Sequence, residues 1–271
     1  MTAGNNAVKH TARTILNTRM LKSVFSASAI IFSTFICYYT AALLEIVTGP
    51  YVATAIFAVS ALFLLAHLYL GLLRFFWRQL FGAEDLPICV FYYLSNKSLY
   101  KKALKYILTL TSKILGISVI IALPAFAVWL ASQGFIYEML DMPIPIWSAN
   151  LNNVFVFLRS IAIVVITAIA LKYYLSPILF VADENIDISE ALYMSKTISR
   201  KTYIDFVFLC FSFLGWILLS ILIIPLIFTL PYMVTAYTVH SRFAIADYNL
   251  FVEKNSQKNF YGFSENFDNE F

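Results

Sequence analysis

The stretch SFLGWILLSILIIPLIFTLPY, residues 212–232, holds no charged side chain, and the uncharged run around it covers residues 206–239, 34 in all. As one helix at about 1.5 Å per residue this run would measure about 50 Å, far beyond a hydrocarbon core of about 30 Å. Two crossings need about 40 residues and a turn. Membrane helices extend past the apolar core with charges in their end turns, and a pair running over 202–246 has 45 residues, enough for two. Asp205 then falls in the first turn of the earlier helix, where the macrodipole favours an anion. Arg242 falls in the last turn of the later one, where it favours a cation. Pro225 lacks the N–H that a continuing helix needs and opens the turn between them. The stretch reads as a tight hairpin of two crossings.

The rest of the chain is built in the same material. Of 271 residues, 61% are hydrophobic and 13% charged, and the mean hydropathy is +0.79. Globular chains are about 45–50% apolar and about 25% charged. The surplus apolar surface cannot fit one soluble core of this size and must face lipid. A net charge of +4, without a basic cluster away from membrane segments, argues against nucleic acid as a partner. Cys37, Cys89 and Cys210 form no C-x-x-C pair and read as small buried hydrophobes, not as a disulfide framework or zinc site.

Working outward, residues 1–22 are a polar segment. Helix 1 covers 23–47, too long for a signal-peptide core and read as uncleaved. Thr48-Gly49-Pro50 is a turn, and helix 2 covers 51–77. A polar connection follows, with Pro87 and the lysines Lys97, Lys101, Lys102 and Lys105. From Ser98, Leu99, Ala103, Tyr106 and Ile107 recur at helical spacing, so a surface helix feeds helix 3 at 108–131, with Pro124 inside it. Residues 133–153 read as a loop holding Glu138, Asp141 and Trp147. Helix 4 covers 154–180. Asp187, followed by Glu190, is a helix-start signature. It opens a short amphipathic surface helix with Ile188, Ala191, Leu192, Ser195 and Ile198 on one face. Helices 5 and 6 occupy 202–223 and 226–247, and residues 251–271 read as a disordered tail. The fold class is all-α: a polytopic membrane protein of six transmembrane helices with short amphipathic surface helices.

Charge supports this count. Lys9, Arg13, Arg19 and Lys22 precede helix 1. Arg78 and the four lysines follow helix 2, and Lys196, Arg200 and Lys201 follow helix 4. The connections after helices 1, 3 and 5 carry no lysine or arginine. Lys and Arg stay on the cytoplasmic side, so the pattern predicts both termini inside a cell membrane, with Arg159 the one misfit.

The run LSPILFVADENIDISEALYMSKTISRKTYIDFVFLCFSFLGWILLS at 175–220, with LPY at 230–232, resembles a bacterial integral-membrane family known only as domain of unknown function 975. The likeness falls on Pro177, Ala182-Asp183, Asp187-Ile188-Ser189, Ala191-Leu192, Ser195, Ser212-Phe213, Gly215-Trp216 and Pro231-Tyr232. The stretch GAEDLPICVFYYLSNKSLYKKAL at 82–104 is similar to the family's linker before helix 3. The chain departs from the pattern at Lys201, where a glycine is usual, at Cys210, where an acid is usual, and near His240-Ser241, where an aromatic pair is usual. The resemblance implies a six-helix membrane protein of Gram-positive type and implies no activity.

Few residues invite chemistry. His67 lies within helix 2, where an ionisable group is a functional candidate or a neutral histidine bonded to a neighbouring helix. Arg159 and Lys172 either line a polar path or snorkel. Thr54, Ala58 and Ala61 permit close helix packing. Gly215-Trp216 reads as a packing notch or ordinary packing, within the same hairpin as Pro231-Tyr232. Asp183, Glu184 and Asp187 form either a cation site or a solvated helix start. There is no H-E-x-x-H, phosphate-cradling glycine loop or G-x-S-x-G, and no cofactor is expected. Sparse intramembrane charge favours a non-enzymatic accessory or envelope-associated component, whose partners are the bilayer and other membrane proteins or a second copy. The alternative is a small-solute transporter or channel built on His67, Arg159 and Lys172. An intramembrane enzyme ranks last, since no nucleophile and base stand together.

Overall fold

The computed structural model of the chain describes residues 4–132, 148–220 and 223–267, and every element among them is helical. In order these are α1 (Asn5–Thr18), α2 (Met20–Thr48), α3 (Pro50–Gln79), α4 (Tyr92–Ser95), α5 (Lys97–Ser132), α6 (Ser148–Ala170), α7 (Ser176–Ala182), α8 (Ile188–Phe211), α9 (Leu214–Leu219) and α10 (Ile223–Phe267). The chain forms two compact units, one of Met1–Lys105 with Leu175–Phe271, the other of Tyr106–Tyr174. Among the described residues, four runs are long and apolar enough to cross a membrane: Met20–Val47, Pro50–Gln79, Lys97–Ser132 and Leu151–Ala182.

Gly49 joins α2 to α3 at φ 85°, a conformation glycine adopts without penalty, and Pro50 starts α3 with its fixed φ. A π-helical turn at Ala61–Leu65 divides α3. Its first half is largely exposed, while its second half buries Leu68, Leu70, Leu72, Leu73, Phe75 and Phe76 on all sides. A helix apolar all round belongs inside a fold, and α7 and the 3-10 turn Pro87–Phe91 pack against this half. Each such phenylalanine contributes about 1.5–3 kcal/mol of burial. Gly71 allows the closest approach: a Cβ there would stand 1.9 Å from the Val90 carbonyl oxygen.

α10 runs beside α2, α3, α8 and α1. Thr235, Thr238 and Ser241 are buried on it. Each returns its hydroxyl to a carbonyl of its own helix, those of Pro231, Thr235 and Tyr237, at 2.7–2.8 Å. α8–α9 and α10 form an antiparallel hairpin, with Phe206 against Tyr237 and His240 and Phe213 against Tyr232. The polar N-terminal segment is the amphipathic α1. Its Val8 and Ala12 join Leu209, Phe213, Ala236 and Val239 in one buried cluster.

Several boundaries differ from the sequence reading. The surface helix before helix 3 is continuous with it, as α5. The amphipathic segment after Asp187 likewise runs unbroken into helix 5, as α8, so Asp205 lies inside a helix and not in its first turn. No proline or glycine stands between these segments to end a helix. Helix 4 breaks into α6, a 3-10 turn at Leu171–Tyr173 and α7, because Pro177 enters at the first turn of a new helix. α9 ends at Leu219 and α10 begins at Ile223, which puts Pro225 in the first turn of α10. α10 continues to Phe267 through residues read as a disordered tail, so Arg242 is in its interior; Lys201 lies over the Phe251 ring at 3.4 Å where that extension begins. Thr54 and Ala58 are exposed, and Thr54 bonds the Pro50 carbonyl, so the close packing falls at Gly71 instead. Cys37 is buried, but Cys210 is exposed. Glu138, Asp141 and Trp147 lie outside the described residues.

Candidate functional site

The end of α3 brings charged residues together. Arg74 lies one turn before the end of an apolar run, with 10% of its side chain exposed. Its guanidinium meets the Glu184 carboxylate at 2.5 Å and lies over the Tyr92 ring at 3.7 Å. Tyr92 donates its hydroxyl to the same Glu184 oxygen at 3.1 Å, and Lys102 donates to the Glu184 carbonyl. α3 supplies the arginine, α4 the tyrosine, the start of α5 the lysine, and the loop after α7 the acid. A charge this buried requires a partner. Hydrogen bonding from Arg74 holds the Glu184 carboxyl below the usual carboxylate range. Burial pushes the neighbouring Tyr93 phenol up to about 12, so it is a neutral hydrogen-bonding group near neutral pH.

The loop after α3 extends this arrangement into a collar. Arg78 pairs with Asp85 at 3.0 Å through Nε. Arg19 donates to the carbonyls of Ala83 and Gly82. Arg242 donates to the Leu80 carbonyl at 3.3 Å and covers the Phe81 ring at 4.8 Å. Arginine suits such work because its planar fork serves a carboxylate, a carbonyl or a ring. Between the last turns of α3, the loop and the end of α7 lies an open pocket of about 430 Å³.

Most of the sequence candidates lie elsewhere. His67 is fully buried, stacks on Tyr100 with centroids 4.4 Å apart, and sets Nε2 3.4 Å from the Tyr100 carbonyl oxygen. Its Nδ1 has no partner among the described residues. The Tyr100 hydroxyl reaches the Phe63 carbonyl of the π-turn at 3.5 Å. Arg159 is exposed on α6, and Lys172 is exposed in the 3-10 turn after it; both belong to the other unit. Asp187 caps α8, accepting from the Ser189 N–H at 3.0 Å, and this bond holds its carboxyl below the usual range. Asp183 accepts from the Asn185 N–H at 2.8 Å. The acidic stretch thus serves helix and turn geometry, and no group of three metal-ligating side chains occurs among the described residues.

Gly215 is exposed, and a Cβ there would meet nothing within 4 Å, so it makes no packing notch. Trp216 meets Tyr232 edge-on at 6.1 Å, and Pro231 is buried in the adjoining turn of α10. The collar itself escapes sequence reading. Its one visible signal is Arg74, a charge set among apolar residues one turn before Arg78. No protein-family model, curated protein or solved structure matches the chain.

Proposed function

We propose that the chain is a bacterial cell-membrane protein crossing the bilayer six times with both termini cytoplasmic, serving as a non-enzymatic accessory or envelope-associated component through lipid and helix contacts. The observation that carries this is apolar surface left uncovered: only 6% of the apolar window is buried both in α5 and in Leu151–Ala182. Leu115, Val119, Ile120, Leu123, Phe157 and Val164 are among the exposed side chains. Surface of this extent requires lipid or a partner helix. The likeness to domain of unknown function 975 and the antiparallel contacts of α8–α10 support the fifth and sixth crossings. An apolar cavity of about 320 Å³ among Ile30, Thr34, Tyr38, Phe57, Leu226 and Leu230 supports the contact role. Affinity capture from gently solubilised membranes is expected to recover a stoichiometric membrane partner or a second copy. A purified monomer that carries solute across liposomes would contradict it.

One observation favours the transporter or channel reading. His67, a buried ionisable group with an unmet nitrogen, follows a π-turn, and such turns are frequent at functional sites. Liposome flux abolished by His67→Ala would establish this reading; flux unchanged by it would remove its support.

A further inference from the structure

The pocket at the end of α3 is lined by Arg74, Arg78 and Glu184, and the last two keep polar atoms open to a visitor. Arg78 uses Nε on Asp85, its terminal nitrogens carry no partner among the described residues, and 47% of its side chain is exposed. Glu184 receives Arg74 and Tyr92 on Oε1, while Oε2 takes no partner among the described residues and 53% of the side chain is exposed. Both residues line the pocket, with Trp77, Phe81, Val181 and Ala182 forming apolar wall between them. Its depth is marked independently. The apolar runs Pro50–Gln79 and Leu151–Ala182 both end at this wall, so headgroups would stand at this level if those runs cross a bilayer. Trp77, edge-to-face with Phe81 at 5.4 Å, is a residue type suited to that interface.

A purely anionic headgroup would satisfy Arg78 but bring a phosphate beside the Glu184 carboxylate. A headgroup carrying both a phosphate and a primary ammonium sets its anion on the open nitrogens of Arg78 and its cation on the open oxygen of Glu184, each beside the ion-pair partner that residue already has. We propose that this pocket binds the phosphoethanolamine headgroup of a membrane phospholipid. The phosphate lies on the terminal nitrogens of Arg78, the ammonium on Glu184 Oε2, and the glycerol against Trp77 and Phe81. Arg19 and Arg242 hold the loop that forms one wall from behind, through its carbonyls and the Phe81 ring. The proposal rests on the membrane-crossing part of the function above and not on any partner protein.

Native mass spectrometry of the full chain in detergent tests it, with equal amounts of dioleoyl phosphatidylethanolamine, phosphatidylglycerol and phosphatidylcholine added. Phosphatidylethanolamine is expected to be retained about tenfold over either competitor, and Arg78→Gln to reduce its retention by about the same factor, the loss of one charge-assisted hydrogen-bonded contact. Preference for phosphatidylglycerol or phosphatidylcholine in the unaltered chain overturns the proposal, and that comparison needs no variant to fold. Retention unchanged in Arg78→Gln also overturns it. A further arm adds soluble glycerophosphoethanolamine: no displacement of the lipid at equal concentration is expected, whereas full displacement identifies a free headgroup compound as the ligand and overturns the lipid source. Failure to capture a partner protein leaves these readings untouched, so the two proposals fail separately.

Discussion

The Cβ-less face of Gly71 lies against the carbonyl of Val90, so close that a methyl group would stand 1.9 Å from its oxygen. This contact seats the 3-10 turn Pro87–Phe91 on α3 and so sets where Tyr92, the platform under Arg74, begins. Backbone, not a flexible side chain, occupies the space, so it cannot yield cheaply. Gly71→Ala is expected to destabilise the protein by about 1–3 kcal/mol, the usual range for overpacking. Gly215→Ala is the control: with nothing near its Cβ, it is expected to leave stability unchanged or raise it by about 0.5–1 kcal/mol, since alanine is the better helix former. Thermal melts of the detergent-solubilised chain compare the two.

Acidification tests the Arg74–Glu184 pair. Glu184 titrates below its ordinary value of 4.5 because Arg74 bonds the charged form. A carboxylate whose folded value is depressed stabilises the fold above its unfolded value, and that contribution is lost as pH falls through the folded value. The loss therefore begins near 4.5 and proceeds downward. Glu184→Gln is expected to cost about 1–2 kcal/mol at neutral pH, held at the lower end of buried-pair values because the carboxylate is half exposed to screening solvent. Its melting temperature should fall less than that of the unaltered chain between about pH 5 and 3. Parallel melting curves in acid would show that the pair contributes nothing.

The packing of α1 makes a further prediction. Ala12 is fully buried among Leu209, Phe213, Ala236 and Val239. Ala12→Glu places an unpaired carboxylate there and is expected to cost about 3 kcal/mol or more. Limited proteolysis should then cut within α1 of the variant much faster than in the unaltered chain, while Thr14→Glu, on the exposed face of the same helix, should leave the rate unchanged.

What the sequence made legible were features whose cause is local. Length and apolar composition locate α2 and α3 to within a few residues of the structure, because a bilayer imposes one long uniform constraint. The Asp187 cap was legible from Asp187 and Glu190 three residues apart, a local helix-start signature, and the cap bond formed is to the Ser189 N–H. The Arg74–Glu184 pair was not, since its members are distant in sequence and neither carries a periodic signal. Gly71 was invisible for the same reason: its partner is a backbone carbonyl in another element. α1 is a different case. Val8, Ala12 and Leu16 recur every fourth residue, a spacing that marks one helix face, yet the surrounding polar residues made the stretch read only as a polar N-terminal segment. Gly215-Trp216 stood out by residue type, and type alone does not reveal whether anything packs there.

Whether the α8–α10 hairpin crosses the bilayer decides the six-helix architecture. The direct measurement is labelling of Ser220→Cys, at the hairpin's turn, by a membrane-impermeant maleimide on intact cells, in a chain whose Cys37, Cys89 and Cys210 are replaced by serine or alanine. With six crossings and cytoplasmic termini the thiol stands outside, and it is expected to react without permeabilisation. Reaction only after the cells are opened would place the turn on the inner side and show that the hairpin does not cross.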